Sequence, residues 1–162
     1  MNGLTGMGDE TVISGYSTSD FKEQQVVQAS HEFLVGGEGL KFGGNFTYAW
    51  TRPELAGGFD IRSETLVASG YASYPFVRKQ SHNIFATLGL DYIDQRTDIL
   101  GTRTNEDRLS VAYARVDFNQ IEPGSISGRG GYSAFEPQWG IGGSLEIRQG
   151  LDILGASQGC GP

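Results

Sequence analysis

Cysteine is all but missing: Cys160 stands alone among 162 residues, so neither an intrachain disulfide scaffold nor a multi-cysteine metal site can form. Charge is sparse as well, with 19% Asp, Glu, Lys and Arg against a typical share of about 25%. Bases are the rarer sign, twelve against nineteen acids. The formal charge of -7 repels phosphate backbones and leaves no Lys/Arg stripe for nucleic acid to bind. Long apolar runs are absent, since nothing approaches the roughly 18 consecutive apolar residues that a spanning helix needs. That excludes a membrane helix but not a membrane barrel. Met1 to Glu10 has no basic region and no apolar run, so it does not read as a secretory signal peptide, and an exported protein would begin further upstream. The length allows one domain at most.

What the chain does have is glycine and rings: 25 Gly, nine Phe, seven Tyr and two Trp. This composition leans towards β-structure, and the periodicity agrees. Leu40, Phe42, Phe46, Tyr48 and Trp50 recur at every second position, with Gly44 interrupting, and Lys41, Gly43, Asn45, Thr47 and Ala49 lie between them. Period two places the two sets on opposite faces of a strand. Ile84, Ala86, Leu88, Leu90 and Tyr92 form a second such face, and Trp139, Ile141, Gly143, Leu145 and Ile147 a third. Leu66 to Phe76 at even positions makes a weaker one, and Val27, Ala29 and Phe33 another, broken by His31. Glu10 to Ser19 and Glu106 to Phe118 read as strands whose inward face is ambiguous. Seven strands result. Turn residues join them as antiparallel hairpins at 35–39, 52–58, 78–82 and 99–105, and Gln120 to Glu136 reads as a long loop.

Alternation alone does not say whether the apolar row meets protein or lipid. A soluble sandwich exposes a charge-rich row, whereas the second row here is mostly Gly, Asn, Thr, Ser and Gln, which suits a water-filled lumen. Strands of about ten residues match a tilted bilayer crossing. Tyr48, Trp50, Tyr74, Phe76, Tyr92 and Trp139, at the ends of apolar rows, suit aromatic girdles. The expected fold is therefore all-β, an antiparallel up-and-down transmembrane β-barrel of about seven or eight meandering strands. Single-chain bacterial barrels close with an even number of strands, eight or more, so seven implies either an overlooked strand or a piece of a larger barrel. Leu40, Phe42, Phe46, Tyr48, Trp50, Leu88, Leu90 and Trp139 are expected to face lipid. Lys41, Asn45, Thr47, Glu146 and Arg148 are expected to face the lumen.

Gly8-Asp9-Glu10, then Ser19-Asp20-Phe21-Lys22-Glu23-Gln24-Gln25-Val26-Val27-Gln28, then Gly36 to Gly43, resembles the early barrel strands of two-partner secretion transporters, the hemolysin-activator and haemagglutinin-transporter (TpsB) family. Ser73-Tyr74-Pro75-Phe76-Val77-Arg78 with Asn83-Ile84-Phe85 is similar to a turn and strand of that family, and Leu145 to Ala156 to a later strand. The likeness runs in order along nearly the whole chain. It implies part of a sixteen-stranded outer-membrane barrel, residues 1–162 forming a partial barrel domain without a POTRA domain, which passes a large secreted exoprotein across the bacterial outer membrane. Outer-membrane lipid is the other implied partner, and no nucleotide takes part. Gly128 to Tyr132 only faintly echoes the family's "VRGY" loop motif. The turn at 74–83 would be periplasmic, and 52–60 and 97–105 would lie outside. A small structural or porin-like barrel and a soluble β-sandwich binding module stand as alternatives.

Enzyme chemistry is not expected. Asp91 with Asp94, or Asp98 with Glu106 and Asp107, could pair as acid and base, but they read more simply as rim or lumen charges. His31 and His82 have no metal-ligand spacing. The glycine-rich stretches at 14–17, 128–131 and 140–143 do not open a helix after a strand, as a phosphate cradle requires. No cofactor is implied.

Overall fold

The computed structural model describes residues 3, 6, 8–20, 23–53, 61–122 and 139–157. Seven strands follow one another: β1 (Glu10–Ser17), β2 (Gln24–Val35), β3 (Leu40–Thr51), β4 (Ile61–Arg78), β5 (His82–Ile99), β6 (Thr102–Ile121) and β7 (Gly140–Gly150). Each pairs antiparallel with the next, giving a single meandering sheet in sequence order. There is no helix among the described residues, so none is long and apolar enough to cross a membrane. β1 and β7 do not meet.

The register sorts the side chains into two faces. Phe42 stands opposite Phe33 and Ala72; Phe46 opposite Ala29 and Ala68; Leu90 opposite Gly70 and Ala112; Ile147 opposite Ala114. One face therefore carries the apolar rows of every strand. The ambiguous strands also resolve: Ile13 in β1 and Ala112, Ala114, Val116 and Phe118 in β6 join that face. No hydrophobic side chain among the described residues is buried, because no second layer covers the sheet. Ile13, Leu88, Leu145 and Ile147 are 71, 65, 69 and 68% exposed.

Two expectations need correction. The connection expected over 99–105 is a two-residue turn at Leu100 and Gly101, both with positive φ (53° and 77°), and β5 and β6 run right up to it. Positive φ at both central positions gives the twist that matches flanking strands, which is why so short a turn suffices. β4, β5 and β6 thus reach 18, 18 and 20 residues, well beyond the expected ten or so. Similarly, β6 extends to Ile121, so the loop expected from Gln120 starts later, and its residues 123–136 lie outside the described part. Residues 54–60, the glycine-rich 128–132 and Cys160 lie there too.

Pro75 sits inside β4, where its missing N–H would break a ladder. The register shifts between Pro75 and Val77, so the proline is accommodated at a bulge and the even-position row does not run on regularly through Phe76. Tyr74 and Phe76 nonetheless keep edge-to-face contact at 5.2 Å.

Candidate functional site: the polar face of the sheet

All five residues expected in the lumen share the face opposite the apolar rows. Lys41 opposes Leu34 and Ser73, Asn45 opposes Ser30 and Ser69, and Thr47 opposes Gln28 and Val67. On β7, Glu146 opposes Arg115 and Arg148 opposes Tyr113. The structure gathers them into two groups rather than one. Lys41 Nζ donates to Glu32 Oε1 at 3.0 Å, and Tyr71 Oη donates to Glu32 Oε2 at 3.0 Å. On β5 to β7, Arg148 Nε donates to Glu146 Oε1 at 2.5 Å, Arg148 Nη1 lies 3.6 Å from Asp91 Oδ2, and the guanidinium sits 5.7 Å from the Tyr113 ring centre. Arg115 binds Asp117 through Nε and Nη2 at 2.9 and 2.7 Å. Asn45 Nδ2 donates to Ser69 Oγ at 3.2 Å. Thr47 belongs to neither group; its row continues through Val67, Ile93 and Leu109, an apolar strip across this face.

A transverse row that sequence reading did not anticipate runs through both groups: Glu32, Gly43, Tyr71, Gly89, Tyr113 and Arg148, one residue from each of β2 to β7. A β-carbon on Gly43 would collide with Cζ, Oη and Cε1 of Tyr71, and one on Gly89 with the same atoms of Tyr113. The two tyrosines therefore lie over the neighbouring glycines, folded down along the sheet. Only register reveals this, because Gly43 and Tyr71 are 28 positions apart; the glycines themselves, placed inside two clear strands, were the visible signal.

The ion pairs here are half-exposed, the Lys41–Glu32 side chains at 39 and 33%, so each contributes about 0–1 kcal/mol. Their chemistry is that of a wetted surface with both signs of charge. Glu10, Ser30, Glu32, Asn45 and Tyr71 line one shallow depression, and Tyr71, Asp91, Tyr113, Arg115, Glu146 and Arg148 another.

The residues expected to face lipid occupy the other face. Leu40, Phe42, Phe46, Tyr48 and Trp50 line it along β3, and Leu88 and Leu90 lie across β4 from that row. Trp139 is half-exposed and stands just before β7, outside the paired register. Rings stand at both ends of the apolar rows: Tyr48 and Trp50, 5.3 Å apart, at one end, and the Tyr74–Phe76 pair at the other.

On β4 to β6 the apolar face turns charged from the level of Tyr48 and Trp50 onwards. Tyr48, Leu66, Asp94 and Arg108 form one row, Trp50, Glu64, Arg96 and Glu106 the next, and Arg62, Asp98 and Arg103 the last. Asp94 Oδ2 accepts from Arg96 Nη2 at 3.0 Å and from Arg108 Nε at 3.3 Å, while Glu106 binds Arg108 Nη2 at 2.6 Å and Arg103 Nη1 at 3.0 Å. Asp91 and Asp94 fall on opposite faces and do not form an acid-base pair; Asp98 and Glu106 are both held by Arg103, and Asp107 accepts from Asn105. The glycine-rich stretches at 14–17 and 140–143 lie within β1 and β7, with no helix following. Among the described residues no group of His, Cys, Asp and Glu is placed to hold a metal ion.

Comparison of the chain with protein-family models, with curated proteins and with solved structures found no match.

Proposed function

We propose that this sheet is part of the wall of an outer-membrane β-barrel, its apolar face against lipid and its polar face lining an aqueous lumen through which a large exoprotein passes in two-partner secretion. The observation that carries the membrane reading is the uncovered apolar face, ringed by aromatics at both ends and backed by a face of hydroxyls, amides and ion pairs. A single layer in water would leave those rows exposed, and contiguous apolar patches of that extent mark an interaction surface. The identity of the cargo rests on the sequence resemblance. The lumen needs no catalysis for this task; its mixed charges offer weak contacts over which an unfolded chain slides.

Strand direction supports a larger barrel. In an antiparallel meander β1 and β7 point the same way, so joining them directly would create a parallel pair. An all-antiparallel wall containing these seven strands needs an odd number of others, and a sixteen-stranded barrel supplies nine.

Single cysteines in a Cys160→Ser background, carrying a fluorophore and reconstituted in vesicles with brominated acyl chains, test the orientation. Labels at Phe42, Phe46 and Tyr48 are expected to be quenched, and labels at Lys41, Asn45 and Thr47 to react with a membrane-impermeant thiol reagent instead. Equal behaviour at odd and even positions would falsify the reading. Deletion of the gene is then expected to abolish release of the exoprotein into the medium; unchanged release with impaired solute uptake identifies a passive porin.

A further inference from the structure

The strands of the apolar face do not turn polar at one level. Towards the charged end, the last apolar residue of the face is Trp50 on β3, Leu66 on β4, Tyr92 on β5, Ala112 on β6 and Ile147 on β7. In register, Trp50 is level with Glu64, Leu66 with Asp94, Tyr92 with Ser110, and Ala112 with Gln149. Each strand therefore turns polar one row, two residues, before its predecessor. The opposite edge slants the same way: Tyr74 is level with Leu145, yet β5 and β6 stay apolar one row further, to Ile84 and Phe118, and β7 two rows further, to Ile141. The apolar surface is thus a band that the strands cross obliquely. Its two edges imply strand tilts of roughly 55° and 40°, bracketing the tilt of about 45° at which membrane strands cross a bilayer. From Ile84 to Tyr92 on β5 the band is about nine residues long, the length of such a crossing, and the rest of that strand lies beyond it.

Two further observations fall on the same line. All three tyrosines of this face among the described residues turn their hydroxyls out of the band. At the charged edge Tyr48 Oη donates to Glu64 Oε2 at 3.3 Å and Tyr92 Oη to Asp94 Oδ2 at 3.5 Å; at the other, Tyr74 Oη donates to Glu38 Oε2 at 3.2 Å, in the turn between β2 and β3. The chain after β7 also respects the line. Leu151 N donates to Ser110 O and Ser157 N to Arg108 O, so the residues between them leave the ladder, and Ser110 Oγ, on the apolar face, donates to the Ile153 carbonyl at 3.0 Å. This loop therefore folds over the apolar face, just past Ala112 and Ile147. Irregular backbone is not tolerated against lipid, and this one begins where the band has ended. A docked protein would cover a patch outlined by its own shape. Equal steps on successive strands outline a layer with flat sides, and hydroxyls turned out at both edges fit water beyond each side.

We infer that a flat hydrocarbon layer crosses this face obliquely, its boundary running along Trp50, Leu66, Tyr92, Ala112 and Ile147, and that the β5–β6 hairpin from Asp94 to Arg108 and the loop between Leu151 and Ser157 stand outside it. The inference rests on the apolar face meeting lipid, and it adds the line at which the lipid stops.

Depth-resolved quenching tests the line. Single cysteines in the full chain with Cys160→Ser carry a fluorophore, and phosphatidylcholine vesicles carry bromine either near the headgroup or near the chain end. Leu88, Ala114 and Ile147 share one transverse row, and Leu66, Ala112 and Ile147 lie on the boundary. Along the row, Leu88 is expected to lie deeper than Ile147 by about 9 Å, four residues of a strand tilted by about 45°. Along the boundary the three labels are expected to share one shallow depth. The row Ala86, Val116 and Leu145 repeats the comparison where a variant of the first loses its β-sheet circular dichroism. Leu154, though apolar and 63% exposed, is expected to escape both bromines and to react with a membrane-impermeant thiol reagent. Equal depth along each row, or quenching of Leu154 by chain-end bromine, overturns the oblique boundary and leaves the lipid-facing reading standing. Absence of quenching at every label on the face overturns both.

Discussion

Gly43 and Gly89 are the residues on which the polar face depends most directly. Each is the floor beneath a tyrosine ring, and a methyl group there would occupy the ring's own space. Gly43→Ala or Gly89→Ala must lift Tyr71 or Tyr113 off the sheet, at a cost of about 1–3 kcal/mol typical of overpacking. Gly70 provides the control, since a β-carbon there meets nothing within 4 Å, and Gly70→Ala should be neutral or slightly stabilising. Denaturant unfolding in micelles measures the difference. A cycle adding Tyr71→Ala is decisive: the penalty of Gly43→Ala should largely vanish once the ring is gone, and an undiminished penalty would mean that backbone rather than ring contact sets it.

At the scale of the strand and its turns, the β5–β6 hairpin holds a correctable strain. Leu100 adopts a left-handed conformation (φ 53°) that a leucine occupies only at a cost, whereas Asn and Gly take it readily. Leu100→Asn should stabilise the hairpin by about 0.5–1 kcal/mol, read as a higher unfolding midpoint with an unchanged slope. A lower midpoint would show that the exposed Leu100 side chain makes a contact worth more than the strain. The same hairpin shows where sequence reading reaches its limit. The number of strands and the faces of β2, β3, β5 and β7 were legible, because alternation is a local signal and each strand carries enough rings to mark its phase. The turn at 100–101 was not, since Leu-Gly lacks the Asn or Asp that usually announces such a turn, and the polar run from Thr102 to Asn105 resembles a loop until Ile99 and Thr97 are placed across from it. Of the site, the polar side of β3 and β7 was readable; its partners Glu32, Tyr71, Asp91 and Tyr113 were not, because contact across strands depends on register, which is set by turns and bulges rather than by period. The charged end of the apolar face escaped notice for a related reason: Asp94 and Arg96 sit in phase with Leu90 and Tyr92, and only the observed length of β5 carries that face past Tyr92.

For the molecule as a whole, the governing feature is that β2 to β6 are paired on both edges and β1 and β7 on one. β7 covers β6 from Val111 to Ile121, and the chain beyond it adds a short further cover, Leu151 N donating to Ser110 O at 2.8 Å and Ser157 N to Arg108 O at 2.8 Å. Every second N–H of β1 and of β7 therefore points away from its only neighbour. In hydrocarbon such groups cost several kcal/mol each, so the remaining strands of a barrel would have to satisfy them. Hydrogen exchange of the chain in micelles converts this into a measurement. Amides of β4 and β5 should exchange slowest, and the outward amides of β1 and β7 at least about tenfold faster, since they open without breaking a ladder. Adding the further strands that the proposed barrel requires, as a second polypeptide, should raise protection at both edges together, because closure would engage β1 and β7 in one step. If the edges of the chain alone already match β4, they are paired with one another or with a second copy, and the odd-strand requirement argued from strand direction fails.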